Sequence, residues 1–214
     1  MPRCHLIVFD LDGTLVDSSV DLADAANHTL SVFGFPPKPV PEIARYVGDG
    51  ARKLVERALP AGVTIDLDEA VRVFLGYYEE SCTRHTRLYS GMDTLLHACA
   101  GIPKAVATNK PKRFTDKILK ALRVEGEFIQ IECGDTVAKP KPDPEMLRKI
   151  LAPRNIAPMA TFMVGDSSTD VKTAQAAGVV SVGAAWGFRG REELEKSGAN
   201  YIIERPVDLV QLIG

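Results

Sequence analysis

The chain has 214 residues, of which 45% are hydrophobic and 25% charged, and its net charge is −2. That length exceeds one typical domain and falls short of two full ones, and the apolar share is enough for a core, which excludes bulk disorder. No run approaches the ~18 uninterrupted apolar residues of a membrane span, and the near-neutral balance offers no basic footprint for nucleic acid or a membrane surface.

Leu6 to Phe9 is a branched apolar run that suits a strand buried on both faces of a parallel sheet. It is too short for a signal-peptide core and is followed by Asp10 rather than a cleavage site, so a cytoplasmic protein is expected. From about Ser18 to Tyr89 no convincing strand occurs, and apolar residues recur at helical spacing. They fall as Val20, Ala23, Leu30 and Phe33, then Ile43 through Leu59, then Val71, Phe74, Leu75 and Tyr78. Gly34–Pro39 and Pro60–Gly62 separate these into three predicted helices. Further strands are predicted at 104–108, 128–132, 160–165, 179–183 and 201–203. Helical patterns lie between them, at Phe114 to Leu122 and, after an Asp143-Pro144 start, at Met146 to Leu151.

Strand–helix alternation of this kind predicts an α/β fold, a doubly wound parallel sheet with helices on both faces. The expected organisation is a core of residues 1–17 and 90–214 with an α-helical cap, 18–89, inserted after the first strand. Cys4, Cys82, Cys99 and Cys133 form no CxxC pair and have no histidine at zinc spacing, so they read as reduced thiols.

Four polar clusters each follow a predicted strand. In Asp10-Leu11-Asp12-Gly13 the two carboxylates point to the same side of an extended chain and repel, for which a hard cation, Mg²⁺ first, is the natural compensation. In Thr108-Asn109-Lys110-Pro111 a hydroxyl and free amides can bind a phosphoryl oxygen, or cap the next helix. In Lys139-Pro140-Lys141-Pro142 prolines stiffen the chain around Lys141, whose ammonium suits a phosphate. In Gly165-Asp166-Ser167-Ser168-Thr169-Asp170 the two aspartates cannot both cap one helix, so at least one has another role. Together they supply metal-binding carboxylates, a nucleophile, a hydroxyl and a lysine, a set suited to phosphoryl transfer.

The order DLDGTLVDS, ATNK, KPDP and GDSSTD resembles that of haloacid-dehalogenase-superfamily phosphatases over nearly the whole chain, inserted cap included. Within it, YVGDGARKLVERAL and ATNKPKRFTDKIL look most like phosphoglycolate phosphatases. The resemblance implies Asp10 as nucleophile and Asp12 as general acid/base, with the Asp12 backbone carbonyl also reaching the metal. Thr108 and the amide of Asn109 match the phosphate binders, and Lys141 matches the lysine joining nucleophile and phosphoryl group. Asp166 matches the direct Mg²⁺ ligand, and Asp170 a residue acting through water or by orienting Lys141. Asp17 and Ser18 read as hinge and cap-entry residues, with capping of the first cap helix as one role.

Gly48, Gly50 and Arg52 are the candidate specificity residues of the cap, with Asp49 awkwardly negative beside them. Lys53 could be proposed as a Schiff-base lysine, although an exposed helix position explains it as well. The expected substrate is a small phosphomonoester, 2-phosphoglycolate first. Alternatives are a sugar-phosphate phosphatase (for an amino-sugar 6-phosphate, for example), a phosphomutase, and a non-catalytic regulator that binds a partner through the cap.

Overall fold

A computed structural model of the chain describes residues 4–213. In chain order the elements are β1 (Leu6–Phe9), β2 (Val16–Asp17), α1 (Ser19–Val32), α2 (Val40–Ala44), α3 (Ala51–Ala58), α4 (Leu67–Ser81), β3 (Arg87–Leu88) and α5 (Met92–Ala98). There follow β4 (Lys104–Thr108), α6 (Lys112–Ala121), β5 (Gln130–Cys133), α7 (Glu145–Leu151), β6 (Thr161–Gly165), α8 (Ser168–Ala177), β7 (Val180–Ala184), α9 (Gly190–Lys196), β8 (Tyr201–Ile203) and α10 (Val210–Ile213).

Six strands form one parallel sheet in the order β5-β4-β1-β6-β7-β8. They are the six expected from the sequence, each within two residues of its predicted bounds. Alternate residues feed opposite faces. Leu6 and Val8 join Ala105, Ala107 and Met163 under α7, while Ile7 and Phe9 join Val106, Phe162 and Val164 in the larger cluster with α5 and α6. Both faces are covered, which is why these strands read as apolar runs without alternation. From central β1 the chain builds towards β4 on one side and β6 on the other, so the carboxyl ends of these three strands flank a topological switch point.

The helical segment between β2 and β3 holds four helices where three were predicted. The run read as one helix from Ile43 to Leu59 is broken at Tyr46–Gly50, which separates α2 from α3. Helix α1 packs on α2 and α4, and α3 on α4. Asp21, fully buried in α1, accepts hydrogen bonds from the backbone N–H groups of His85 and Thr86 and from the Thr86 hydroxyl. It thereby ties the first helix to the returning chain. The exit and return themselves pair as a two-stranded antiparallel ribbon, Val16 opposite Leu88 and Asp17 opposite Arg87. Strands of two residues carry no periodicity, so neither is legible from residue spacing.

Apolar packing is continuous from the sheet into the segment. Tyr78 meets Phe114 of α6 edge-on, with ring centroids 5.1 Å apart, and Phe74 stacks on Tyr78. All four cysteines are free and buried, as their spacing suggests. Among the described residues no helix is long and apolar enough to cross a membrane.

Candidate active site

The carboxyl ends of β1, β4 and β6 bring Asp10, Thr108 and Asp166 together, and the loop before α7 adds Lys141. Each of these side chains is almost fully buried. Lys141 Nζ lies 2.9 Å from Asp10 Oδ1 and donates to Asp170 Oδ1 at 2.6 Å. Asp10, Asp166 and Asp170 each offer an oxygen within 4.8 Å of the other two.

Local structure fixes each group. Asp10 Oδ1 also accepts from the Leu11 N–H at 2.7 Å, and Asp166 Oδ2 accepts from the Phe188 N–H at 2.7 Å. Ser167, not Asp166, is the N-cap of α8. Its hydroxyl and N–H both bond Asp170 Oδ2, which closes a capping box and leaves Asp166 to face the cluster. A Cβ at position 165 would lie 2.3 Å from Asp170 Cβ, so glycine there is a packing requirement. Gly13 combines φ +81° with a Cβ position 2.4 Å from Asp166 Oδ2, so it both turns the chain and leaves room for that carboxylate.

Three buried carboxylates lie together and one ammonium pairs with two of them, and the electrostatics follow. Burial, with Asp170 and Asp12 adding repulsion, outweighs Lys141 and pushes the Asp10 carboxyl up to about 7. Burial, with Asp170 and Asp10, raises Asp166 well above the carboxylate range against the Phe188 N–H and Arg189. Burial opposes the Lys141 charge, but Asp10 and Asp170 outweigh it and hold the ammonium firmly protonated. Excess negative charge gathered among hard oxygen donors is the condition a divalent cation relieves, so these residues fit one.

Asp12 departs from the metal cluster. Its carboxylate takes two hydrogen bonds from Lys110 Nζ, at 3.0 and 2.8 Å, and one from the Ser18 hydroxyl at 2.6 Å. A metal role for this residue therefore falls to its main-chain oxygen alone. Ser18, expected as a possible helix cap, makes no cap bond, and Asp17 accepts from the Ser19 N–H instead. Lys110 is the residue the motif reading passed over. It is buried, and its Nζ also lies 4.7 Å from the centroid of the Tyr78 ring. The available signal was a lysine two residues past a strand end and directly before a proline.

A pocket between sheet edge and helices is lined by Asp10, Asp12, Thr108, Asn109 and Lys110 on one side. Val47, Gly48, Gly50, Ala51, Leu54 and Tyr78 are among its lining on the other. Its free volume is about 40 Å³, room for roughly three water molecules. Asn109 does more than sequence reasoning assigned to its amide. Its Nδ2 donates to the carbonyls of Gly48 and Lys141, both at 3.0 Å, and its Oδ1 accepts from the Lys141 N–H. Thr169 donates to Asp49 Oδ1 at 2.9 Å and Arg189 Nη2 to the Val47 carbonyl at 2.8 Å, so three core side chains hold this loop. Asp49 points away from the pocket, towards Arg57 and Thr169.

Arg52 is a correction. Gly48 and Gly50 line the pocket, but Arg52 does not. It is exposed and paired with Asp68, because Leu54, Val55 and Ala58 form the buried face of α3 and turn position 52 outward. Lys53 likewise pairs with Glu56 at the surface, and Lys139 is exposed, leaving Lys141 as the buried lysine of its loop.

The family model of haloacid dehalogenase-like hydrolases matches residues 7–184. A phosphoglycolate phosphatase of Pseudomonas putida is 37% identical over 95% of this chain and 77% of its own length. One from Photobacterium profundum is 33% identical over 97% and 94%. A crystal structure described as a predicted phosphoglycolate phosphatase from Haemophilus somnus 129pt superposes with a TM-score of 0.93, at 29% identity and complete coverage of both chains.

Proposed function

Since the chain belongs to the haloacid dehalogenase-like hydrolases and is a phosphoric monoester hydrolase acting on a small phosphorylated molecule, we propose that it is a Mg²⁺-dependent 2-phosphoglycolate phosphatase working through an aspartyl phosphate. The observation that carries this reading is Lys141 bridging Asp10 and Asp170 beside Asp166, next to a pocket shared by the sheet and the helical segment.

In this mechanism both contacts described for Asp10 fall on Oδ1, which leaves Oδ2 to attack phosphorus. The ester P–O bond breaks and the leaving oxygen takes a proton from Asp12. Asp12 then accepts a proton from the water that attacks the phosphoaspartate, releasing inorganic phosphate and restoring Asp10. Lys110 and Ser18 hold the Asp12 carboxylate in one orientation. Thr108, the Asn109 amide and Lys141 receive the phosphoryl oxygens.

Asp10, Asp166 and the Asp12 main-chain oxygen would hold the metal. Asp170 supports them from behind, since its two oxygens are committed to Lys141 and Ser167. A divalent cation bound there would supply neutralisation of the phosphoryl and carboxylate charge. The helical segment, residues 18–89, acts as a cap over the core of residues 1–17 and 90–214. Its closure excludes water during the first transfer. The cytoplasm, where small phosphorylated metabolites are found, is the expected setting.

The test is a phosphate-release screen across phosphorylated metabolites with and without Mg²⁺. Phosphoglycolate should lead in kcat/KM. A hexose or amino-sugar phosphate in first place would overturn the substrate and leave the chemistry standing.

A further inference from the structure

Once the phosphoryl site is assigned, the opposite wall of the pocket holds few polar groups. It is mostly apolar, with Leu22, Val47, Leu54, Phe74 and Leu75. A carboxylate entering such a wall needs paired partners, because an unpaired anion in an apolar setting is costly.

Three donors are present. The Tyr78 hydroxyl is the first. The residue is 1% exposed and lines the pocket, its neighbour is the Lys110 ammonium, and its hydroxyl proton has no acceptor among the described residues. A buried phenol whose proton has no acceptor is uncommon in a folded protein, and an aromatic ring alone would fill the same space. Burial raises its pKa far above neutrality, so it stays a proton donor.

Lys110 is the second. It is the one cationic side chain on the described lining, and its ammonium sits between Asp12, which takes two of its hydrogen bonds, and Tyr78. The amino end of α3 is the third. Gly50 precedes the helix with no side chain capping it, and Gly50 and Ala51 both line the cavity. Its first N–H groups are open to an anion.

We propose that the Tyr78 hydroxyl, with Lys110 and the opening amides of α3, recognises a carboxylate on the carbon next to the phosphoester carbon. This deepens the phosphoglycolate reading and rests on it. Specificity thus moves from Arg52, outside the pocket, to a tyrosine on α4 and a lysine on the core. The Tyr78 ring packs between Phe74 and Phe114 and lies over Lys110, which fixes where the hydroxyl can point.

The experiment compares wild type and Tyr78→Phe on 2-phosphoglycolate and on ethyl phosphate, which has the same two-carbon length without the carboxylate. Tyr78→Phe keeps the ring and removes one oxygen, and Lys110 keeps its pairing with Asp12, so the melting temperature should stay near that of wild type. The ratio of kcat/KM for phosphoglycolate over ethyl phosphate should fall by about ten- to a hundredfold, mainly through KM, as for a lost hydrogen bond to a charged group.

If wild type prefers phosphoglycolate and Tyr78→Phe keeps that ratio, the proposal is overturned while the substrate reading stands. If wild type shows no preference for phosphoglycolate over ethyl phosphate, both fall together. A drop in melting temperature with equal losses on the two substrates would make Tyr78 structural and overturn the proposal.

Discussion

Asp10→Asn should stabilise the metal-free protein, and more so at high pH than at low. The folded carboxyl titrates at about 7 against 3.8 for the free group, because burial and neighbouring carboxylates disfavour its charge. Folding therefore holds this proton more tightly than the unfolded chain does, and stability is lost as pH rises from about 4 to about 7. At pH 8 the cost of ionised Asp10 is about 4 kcal/mol, taking roughly 1.4 kcal/mol per tenfold. At pH 5 the folded carboxyl is neutral and only the unfolded state gains from ionising, for a cost of about 2 kcal/mol. Asparagine has no charge to suppress and removes both costs.

The substitution also takes one partner from Lys141, which keeps Asp170. That loss is nearly the same at both pH values, so the difference between them isolates the titration. The advantage of Asp10→Asn should be larger at pH 8 by about 2–3 kcal/mol, or about 5–10 °C in melting temperature for a chain of this size. Thermal melts in chelator between pH 5 and pH 8 measure it, and excess Mg²⁺ should erase the gain at pH 8. An advantage independent of pH, or larger at pH 5, would refute the electrostatic account of the cluster.

Chelation should stop turnover and Mg²⁺ should restore it, with Ca²⁺ supporting little because its looser coordination misplaces the reacting groups. Asp166→Ala should raise the Mg²⁺ concentration needed for half-maximal rate. Lys110→Met should lower the melting temperature by roughly 6–12 °C, because it leaves the buried Asp12 carboxylate without its cation at a cost of about 3 kcal/mol, and kcat should fall with it. A melt unchanged in Lys110→Met would contradict that pairing. Arg52→Ala should change kcat/KM less than about twofold, since an exposed ion pair outside the pocket contributes little. A larger, substrate-selective loss would return Arg52 to the site.

The sheet and the acidic edge were legible because their signals are local. Each of β1, β4 and β6 is an apolar run that ends in its own polar cluster, so Asp10, Thr108 and Asp166 announce themselves without knowledge of their partners. Lys110 did not, because its meaning lies in Asp12, 98 positions away, and a lysine beside a proline reads equally well as a solvent loop. Tyr78 was legible as a core aromatic, but the hydroxyl proton without an acceptor is a fact of packing that periodicity cannot carry. Arg52 was a different error. Leu54, Val55 and Ala58 already mark the inner face of α3, and at 100° per residue position 52 falls outside it, so the helical period alone argued against a pocket role. The break at Tyr46–Gly50 was hidden because Ile43 and Val47 keep helical spacing right up to it.

The ribbon of β2 and β3 has a consequence for how such a chain can be rebuilt. With Val16 opposite Leu88, the polypeptide leaves the sheet and comes back at neighbouring positions, so everything between is a loop in the topological sense, however large. A tight hairpin turn, two residues long in its commonest form, could join those strands without altering the register of β1 between β4 and β6. The same junction would accept a foreign helical bundle whose ends lie equally close. The acidic edge and Lys141 would then be inherited intact, whereas Lys110 would lose the Tyr78 ring, and with that loss the graft would have to supply its own means of recognising the rest of the substrate.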